Sequence, residues 1–313
     1  MNSLRCVLLA FALHLPASGR AEGLISELVR RFAESDFELV RASSNAPFPP
    51  LAALTATGYQ QSEFRRTDGA DTHETFEQDS LAQYALVPIP LGRRDAIVVG
   101  EWLSWTRFEL SSPAGRDIEV LSAAVPVGWI RQASADWQLA AFVAPLGHRT
   151  DADGWYWETL GGVFARNLRS ERFAWIVGMY FDVSSLEDFY TPYLGATYIA
   201  NDRWTLNAVM PWPSITYAPS PHTLFRFGVS PSGASWSVEP GERRPRMNLL
   251  AWNVGFSVER RIFGNFWLGV EVGASCLRGL SIVGNDWEPP ETRLDGTGFA
   301  LVSLTLRPSS QPP

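Results

Sequence analysis

Between Met247 and Arg261 the chain reads MNLLAWNVGFSVERR, and its large apolar side chains recur at every second position. Leu250, Trp252, Val254, Phe256 and Val258 fall on one side, and Asn253, Gly255, Ser257 and Glu259 on the other. A period of two is the signature of an extended strand with one greasy and one polar face. The pattern returns in Phe266, Leu268, Val270 and Val272 against Gly269, Glu271, Gly273 and Ser275, and in Phe173, Trp175, Val177, Met179 and Phe181 against Gly178, Tyr180 and Asp182. Trp204, Leu206, Ala208 and Met210 alternate in the same way with Arg203, Thr205 and Asn207. Beyond the first residues no stretch reaches the roughly 18 apolar residues of a membrane helix. A chain of this kind that enters a bilayer must therefore do so as a closed sheet, because only helices and barrels satisfy every backbone group in lipid.

Turn chemistry divides the chain from Leu51 onward into candidate strands at 51–64, 80–91, 95–110, 117–131, 136–148, 155–168, 172–184, 191–200, 203–212, 222–231, 247–261, 265–283 and 294–307. Short connections at 92–95, 133–136, 168–172, 201–202 and 263–265 largely alternate with longer polar ones at 65–79, 149–154, 232–246 and 284–293. That alternation matches a barrel with tight periplasmic turns and longer external loops. Bacterial single-chain barrels have an even number of strands, so an odd tally of spans needs correction. Either 203–217 folds at Pro211-Trp212-Pro213 into two short strands, giving 14, or one weak span drops out, giving 12; proline has no ladder donor and marks a break. The expectation is an antiparallel up-and-down transmembrane β-barrel of about 12 strands, within 10 to 14, over residues 51–307.

The N-terminus has the marks of a secretory signal over residues 1–21: Arg5 in the n-region, an apolar run from Cys6 to Leu15, and small residues before a cut after Ala21. Its loss leaves Cys276 as the single cysteine, so no internal disulfide is expected. Leu24, Ile25, Leu28, Val29 and Phe32 recur at helical spacing, which predicts a short N-terminal helix, followed by a Pro-rich linker over 43–50. Residues 308–313 read as a disordered tail. Among 313 residues the net charge is −7, and no basic stripe is present, which argues against nucleic acid as a partner.

The stretch from Asp202 onward, DRWTLNAVMPWP, is followed by Tyr217 and by Pro219-Ser220 before the next strand. In this it resembles the domain-of-unknown-function family 6268, over roughly 51–307 with the signature carried by 155–228. Where that family has a charged turn and a Trp after Pro-Ser, this chain has Pro221, His222 and Thr223. The resemblance implies a β-barrel of the bacterial outer membrane, with outer-membrane lipid and the barrel-assembly machinery as partners and with no assigned reaction.

Alternation alone also suits a soluble sandwich with its apolar face inward. The tryptophans favour the membrane, because Trp102, Trp105, Trp129, Trp137, Trp155, Trp157, Trp175, Trp204, Trp252 and Trp267 fall mainly near strand ends, where amphipathic rings form interfacial girdles. The polar faces then line the lumen, with Glu101, Arg107, Asp182, Arg203, Asn207, Arg226, Asn253, Glu259 and Glu271 as candidate lining residues. A lining of both signs gives no strong ion preference.

No catalytic, metal or cofactor site is expected. His73, His148 and His222 sit in or beside predicted loops, and a Ser-His-acid arrangement would need a histidine held on a strand next to a nucleophile. His73-Glu74 does not continue into a zinc motif, and Asp151-Ala152-Asp153-Gly154 lacks the downstream glutamate of a calcium loop. Asp286, Glu288, Glu291 and Asp295 read as a solvated acidic loop. The leading expectation is a passive pore or uptake barrel for small solutes. A non-conducting structural or adhesive barrel is the second reading, and a lipid-hydrolysing barrel, disfavoured by the scarcity of histidine, the third.

Overall fold

The computed structural model describes residues 44–66, 74–110, 117–150, 154–184, 188–237, 246–283 and 292–308. The expected signal, the expected N-terminal helix, residues 309–313, His73, Asp151 to Asp153 and the acidic residues 286, 288 and 291 lie outside them. All regular structure among the described residues is strand. In chain order the segments are β1 (Ala52–Arg66), β2 (Glu74–Pro90), β3 (Asp95–Leu110), β4 (Ile118–Ala124), β5 (Val127–Gln132), β6 (Trp137–Thr150), β7 (Trp155–Ser170) and β8 (Phe173–Ser184). They continue as β9 (Asp188–Ile199), β10 (Trp204–Met210), β11 (Ser214–Ser220), β12 (Thr223–Ser237), β13 (Arg246–Phe263), β14 (Phe266–Val283), β15 (Thr292–Leu294) and β16 (Thr297–Leu306).

Apart from β4 with β5 and β15 with β16, consecutive segments pair antiparallel, and β1 pairs with β16, so the sheet closes on itself. β4 and β5 lie end to end between β3 and β6, interrupted at Val125-Pro126, where proline brings no N–H to the ladder. β15 and β16 likewise lie end to end between β14 and β1. Counted this way the 16 segments form 14 strands, an even number that brings the start of β1 and the end of β16 to one rim. The expectation of about 12 is therefore corrected. The alternative count of 14 holds instead: no weak span drops out, and the stretch over 203–217 folds at Pro211-Trp212-Pro213 into the two short strands β10 and β11, which pair with each other.

The connections at 91–94, 133–136, 171–172, 200–203, 221–222 and 264–265 all lie at the rim that holds Leu51 and Arg307. Gly92 and Gly264 adopt φ of 89° and 48° there, the left-handed conformation that tight turns need and side-chain-bearing residues resist. This is the turn rim, periplasmic in barrels of this architecture. At the opposite, loop rim the wall is uneven. β10 and β11 are 7 residues each, against 12 in β9 and 15 in β12. The pairing of β9 with β10 accordingly stops at Leu194.

Which face looks out follows from register and exposure together. Val163 lies opposite Met179, Val177 opposite Leu194, Phe227 opposite Phe256, and Val270 opposite Val302. These residues are 45–62% exposed, whereas Ser122, Asn253, Ser257 and Ser275 on the other face are 0–8% exposed. The apolar side faces outward and the polar side faces the axis, the inverse of a water-soluble sandwich. Aromatic rings gather outside at both rims. Trp129, Trp137, Trp175, Tyr198 and Trp204 stand at the turn rim, where Trp204 meets Tyr217 at 4.5 Å between ring centroids. Trp155 and Trp157 stand near the loop rim, 5.7 Å apart. Trp102 and Trp267 do not join either girdle. Both have the parity of the inner face, and Trp267 is buried at the turn rim. The protein is an outer-membrane-type β-barrel.

Candidate functional site: the barrel interior

The inner face collects polar groups from nearly every strand. Asp182, Asn207, Arg226, Asn253, Glu259 and Glu271 lie on it. Arg226 and Glu271 flank Ser257 on either side in register, so opposite charges share one rung across β12, β13 and β14. The Asn253 amide donates to the Tyr59 hydroxyl at 3.0 Å, which in turn lies 3.1 Å from Ser232 Oγ. Thr197 donates to Asn207 at 3.0 Å across β9 and β10. Arg203 stands in the turn between β9 and β10, at the mouth of the barrel.

Glu101 and Arg107 do not line the lumen. They share the parity of Val99 and Trp105, whose cross-strand partners Val127 and Leu121 are exposed on the outer face. Glu101 accepts a hydrogen bond from Gln83 at 3.4 Å. Arg107, three residues from the loop end of β3, pairs with Glu109 at 2.9 Å and Asp117 at 2.7 Å. Polarity suggested an inward position for both. Counting in twos from Val99 and Trp105 places them outside.

Aromatic side chains form a second inner feature that the polar pattern had hidden. Phe142 and Phe164 stack across β6 and β7 at 6.1 Å, Tyr180 lies 6.5 Å from Phe142, and Tyr193 meets Phe164 edge-on at 5.0 Å. Trp212, carried by the short turn between β10 and β11, closes the group at 4.8 Å from Tyr193 and 6.3 Å from Tyr180. Its indole N–H is buried without a hydrogen-bond partner among the described residues.

The turn rim is crossed by the chain itself. Leu51 enters β1 beside β16, yet Asn45, six residues earlier, donates its backbone N–H to the carbonyl of Asp202 at 2.6 Å, half the ring away. The Asn45 side chain donates to the Ala218 carbonyl at 3.3 Å, and Ala46 packs against Ala218, Leu224 and Trp267. Arg307 fixes the middle of this strap: it donates to the Phe48 carbonyl at 2.9 Å, pairs with Glu259 and lies over the Trp267 ring at 5.7 Å. β12 and β6, which are not neighbours in the sheet, also come within 8 Å of each other at Cα. The lumen is thus narrowed between β6 and β12 as well as strapped at the turn rim.

A third group lies under the loop rim. Ser122 on β4 and His148 on β6 form a cross-strand pair, with Ser122 Oγ 2.7 Å from His148 Nδ1. His148 Nε2 lies 3.0 Å from Glu158 Oε1 on β7, and the Tyr156 ring lies 6.4 Å from the imidazole and nearly parallel to it. Histidine 148 is therefore a strand residue and not a loop residue as the sequence suggested. β6 runs on to Thr150, past the Pro145 and Gly147 that blur its alternation. Asp182, also on the inner face, leaves one carboxylate oxygen without a partner among the described residues. No group of three His, Cys, Asp or Glu side chains able to hold a metal occurs among the described residues.

No protein-family model matches the chain, and no curated protein matches it in sequence. Its likeness is to solved barrels. An outer membrane channel from Pseudomonas putida F1 aligns with 10% identity and a TM-score of 0.48, over 84% of this chain and 98% of that one. A Pseudomonas aeruginosa FadL homologue aligns with 12% identity and a TM-score of 0.41, over 83% and 90%. The translocator domain of the autotransporter NalP from Neisseria meningitidis aligns with 9% identity and a TM-score of 0.34, over 92% and 98%.

Proposed function

We propose that the protein is a channel of the outer membrane that passes small solutes passively, through a lumen kept narrow in its resting form. The observation that carries this reading is a closed ring of strands whose inner face holds charges of both signs and aromatic rings, while its outer face is apolar. The mixed signs of Arg226, Asp182, Glu259 and Glu271 give no basis for strong ion selection. The rings of Phe142, Phe164, Tyr180, Tyr193 and Trp212 suit small solutes with a flat apolar face, which stack on aromatics without a large desolvation cost.

The strap over 44–51 and the approach of β12 to β6 favour low conductance in the intact protein. They also support a second reading, a non-conducting barrel whose external loops act as the working surface. Single-channel recording in planar bilayers separates the two, using folded full-length protein beside a form lacking residues 22–50. Small stepwise openings in the first and larger ones in the second support the channel. Silence from both, with folding established by heat-modifiable gel migration, establishes the second reading in its place.

A further inference from the structure

We propose that Ser122, His148 and Glu158 form a hydrolytic site for small carboxylic esters at the outer end of the lumen. The inference rests on the inner-face placement of these residues and not on conduction.

Geometry comes first. Ser122 and His148 face each other directly across β4 and β6, so the sheet itself fixes the 2.7 Å contact between hydroxyl and imidazole. Glu158, one inner position beyond Tyr156 on the next strand, holds the other ring nitrogen at 3.0 Å. An ionised carboxylate only accepts hydrogen bonds, so Nε2 carries the proton and Nδ1 presents its lone pair to the serine O–H. This is the order of roles that activates a weak hydroxyl nucleophile: a base on the hydroxyl, and an acid that holds the base's tautomer. It satisfies the condition that the sequence appeared to lack, a histidine held on a strand beside a nucleophile.

The surroundings suit the chemistry. Val120, Leu146 and Tyr156, all buried, take the inner positions next to Ser122, His148 and Glu158. These neighbours are mostly apolar, which favours an uncharged acyl group over a charged one and strengthens the hydrogen bonds they surround. His148 lies two residues from the end of β6 and Ser122 four from the start of β4, so the site is close beneath the loop rim.

The reaction balances without a further co-reactant. The Ser122 oxygen adds to the ester carbonyl as its proton passes to His148 Nδ1. The bond to the leaving alkoxide breaks and the alkoxide takes that proton to depart as the alcohol. Water then adds to the acyl-serine, giving a proton to Nδ1, and the acid leaves as Ser122 regains it. Ser122 and His148 are the catalytic residues; Glu158 acts through His148 and is a positioning residue.

The test uses folded full-length protein in detergent micelles, with a fluorophosphonate probe and p-nitrophenyl butyrate. The expected result is one phosphonyl adduct, located on Ser122 by peptide mass spectrometry, and ester hydrolysis that falls by on the order of 10²–10⁴-fold in Ser122→Ala and in His148→Gln. Glu158→Gln is expected to shift the pH profile of hydrolysis, and Glu158→Asp to restore it in part, which a merely structural carboxylate would not do. Folded wild-type protein that takes no label at Ser122 and hydrolyses no faster than Ser122→Ala overturns the proposal. Should either variant fail to fold, the wild-type adduct and its position decide the matter alone.

Discussion

Gly195, an inner-face residue of β9, has no room for even a methyl group: a Cβ there would stand 2.1 Å from the Ala208 carbonyl oxygen and 2.5 Å from Val209 Cα. Both are backbone atoms of the neighbouring strand and cannot turn aside. Gly195→Ala is expected to lower stability by about 1–3 kcal/mol, the usual effect of overpacking, as measured by urea unfolding from lipid vesicles. Tyr59 makes a different kind of demand. Its hydroxyl joins Asn253 to Ser232, and the Asn253 side-chain oxygen is buried without a partner among the described residues. Tyr59→Phe removes the amide's partner and is expected to cost about 1–3 kcal/mol in the same assay. Single residues were the least legible part of this sequence. Polarity alone puts Glu101 and Arg107 in the lumen, yet each sits two positions from an outward Val99 or Trp105. His148 lay beyond a proline and a glycine that mask the alternation of β6, and nothing local to it signals Ser122 or Glu158 on other strands.

At the scale of elements, the strap depends on one side chain more than any other. Arg307 joins the Phe48 carbonyl, the Glu259 carboxylate and the Trp267 ring, and so ties the crossing segment to β13, β14 and β16 at once. Arg307→Ala is expected to raise single-channel conductance toward that of protein lacking residues 22–50. Arg307→Lys, which keeps the charge but not the fork of donors, should fall between the two. Most strands were visible as alternating runs because each has one face in lipid and one on the axis. Those that were not visible have physical reasons. β11 is short and bounded by prolines, so the sequence offered it only as one of two alternatives, and β12 continues through Pro231, Ser232 and Gly233 to Ser237, beyond the span that the alternation marked. The strap was out of reach for another reason: a Pro-rich stretch has no periodicity, and its role comes from crossing to Asp202 and Ala218, far along the chain.

At the scale of the whole molecule, the account turns on the apolar side of the ring facing hydrocarbon. Val272, outward on β14 and 51% exposed, belongs to that band. Val272→Arg is expected to destabilise the folded barrel by about 2–4 kcal/mol, the effect of an arginine at the bilayer midplane, whereas Asn265→Arg in a turn should have little effect. The ring itself was legible from the sequence because period-two segments with no apolar span long enough for a helix leave few alternatives. The number of strands was not, since it depends on one hairpin. The measurement that bears most directly on the whole account is a nitroxide scan along β13 in reconstituted protein, with Cys276 replaced by serine and single cysteines introduced at 253 through 258. Labels at 254, 256 and 258 should be open to oxygen and shielded from a water-soluble nickel chelate, with 253, 255 and 257 giving low oxygen access. Labels at 254, 256 and 258 that are closed to both reagents, with 253, 255 and 257 open to the chelate, would mean that Val254, Phe256 and Val258 lie in a dry core, and the barrel would be ruled out.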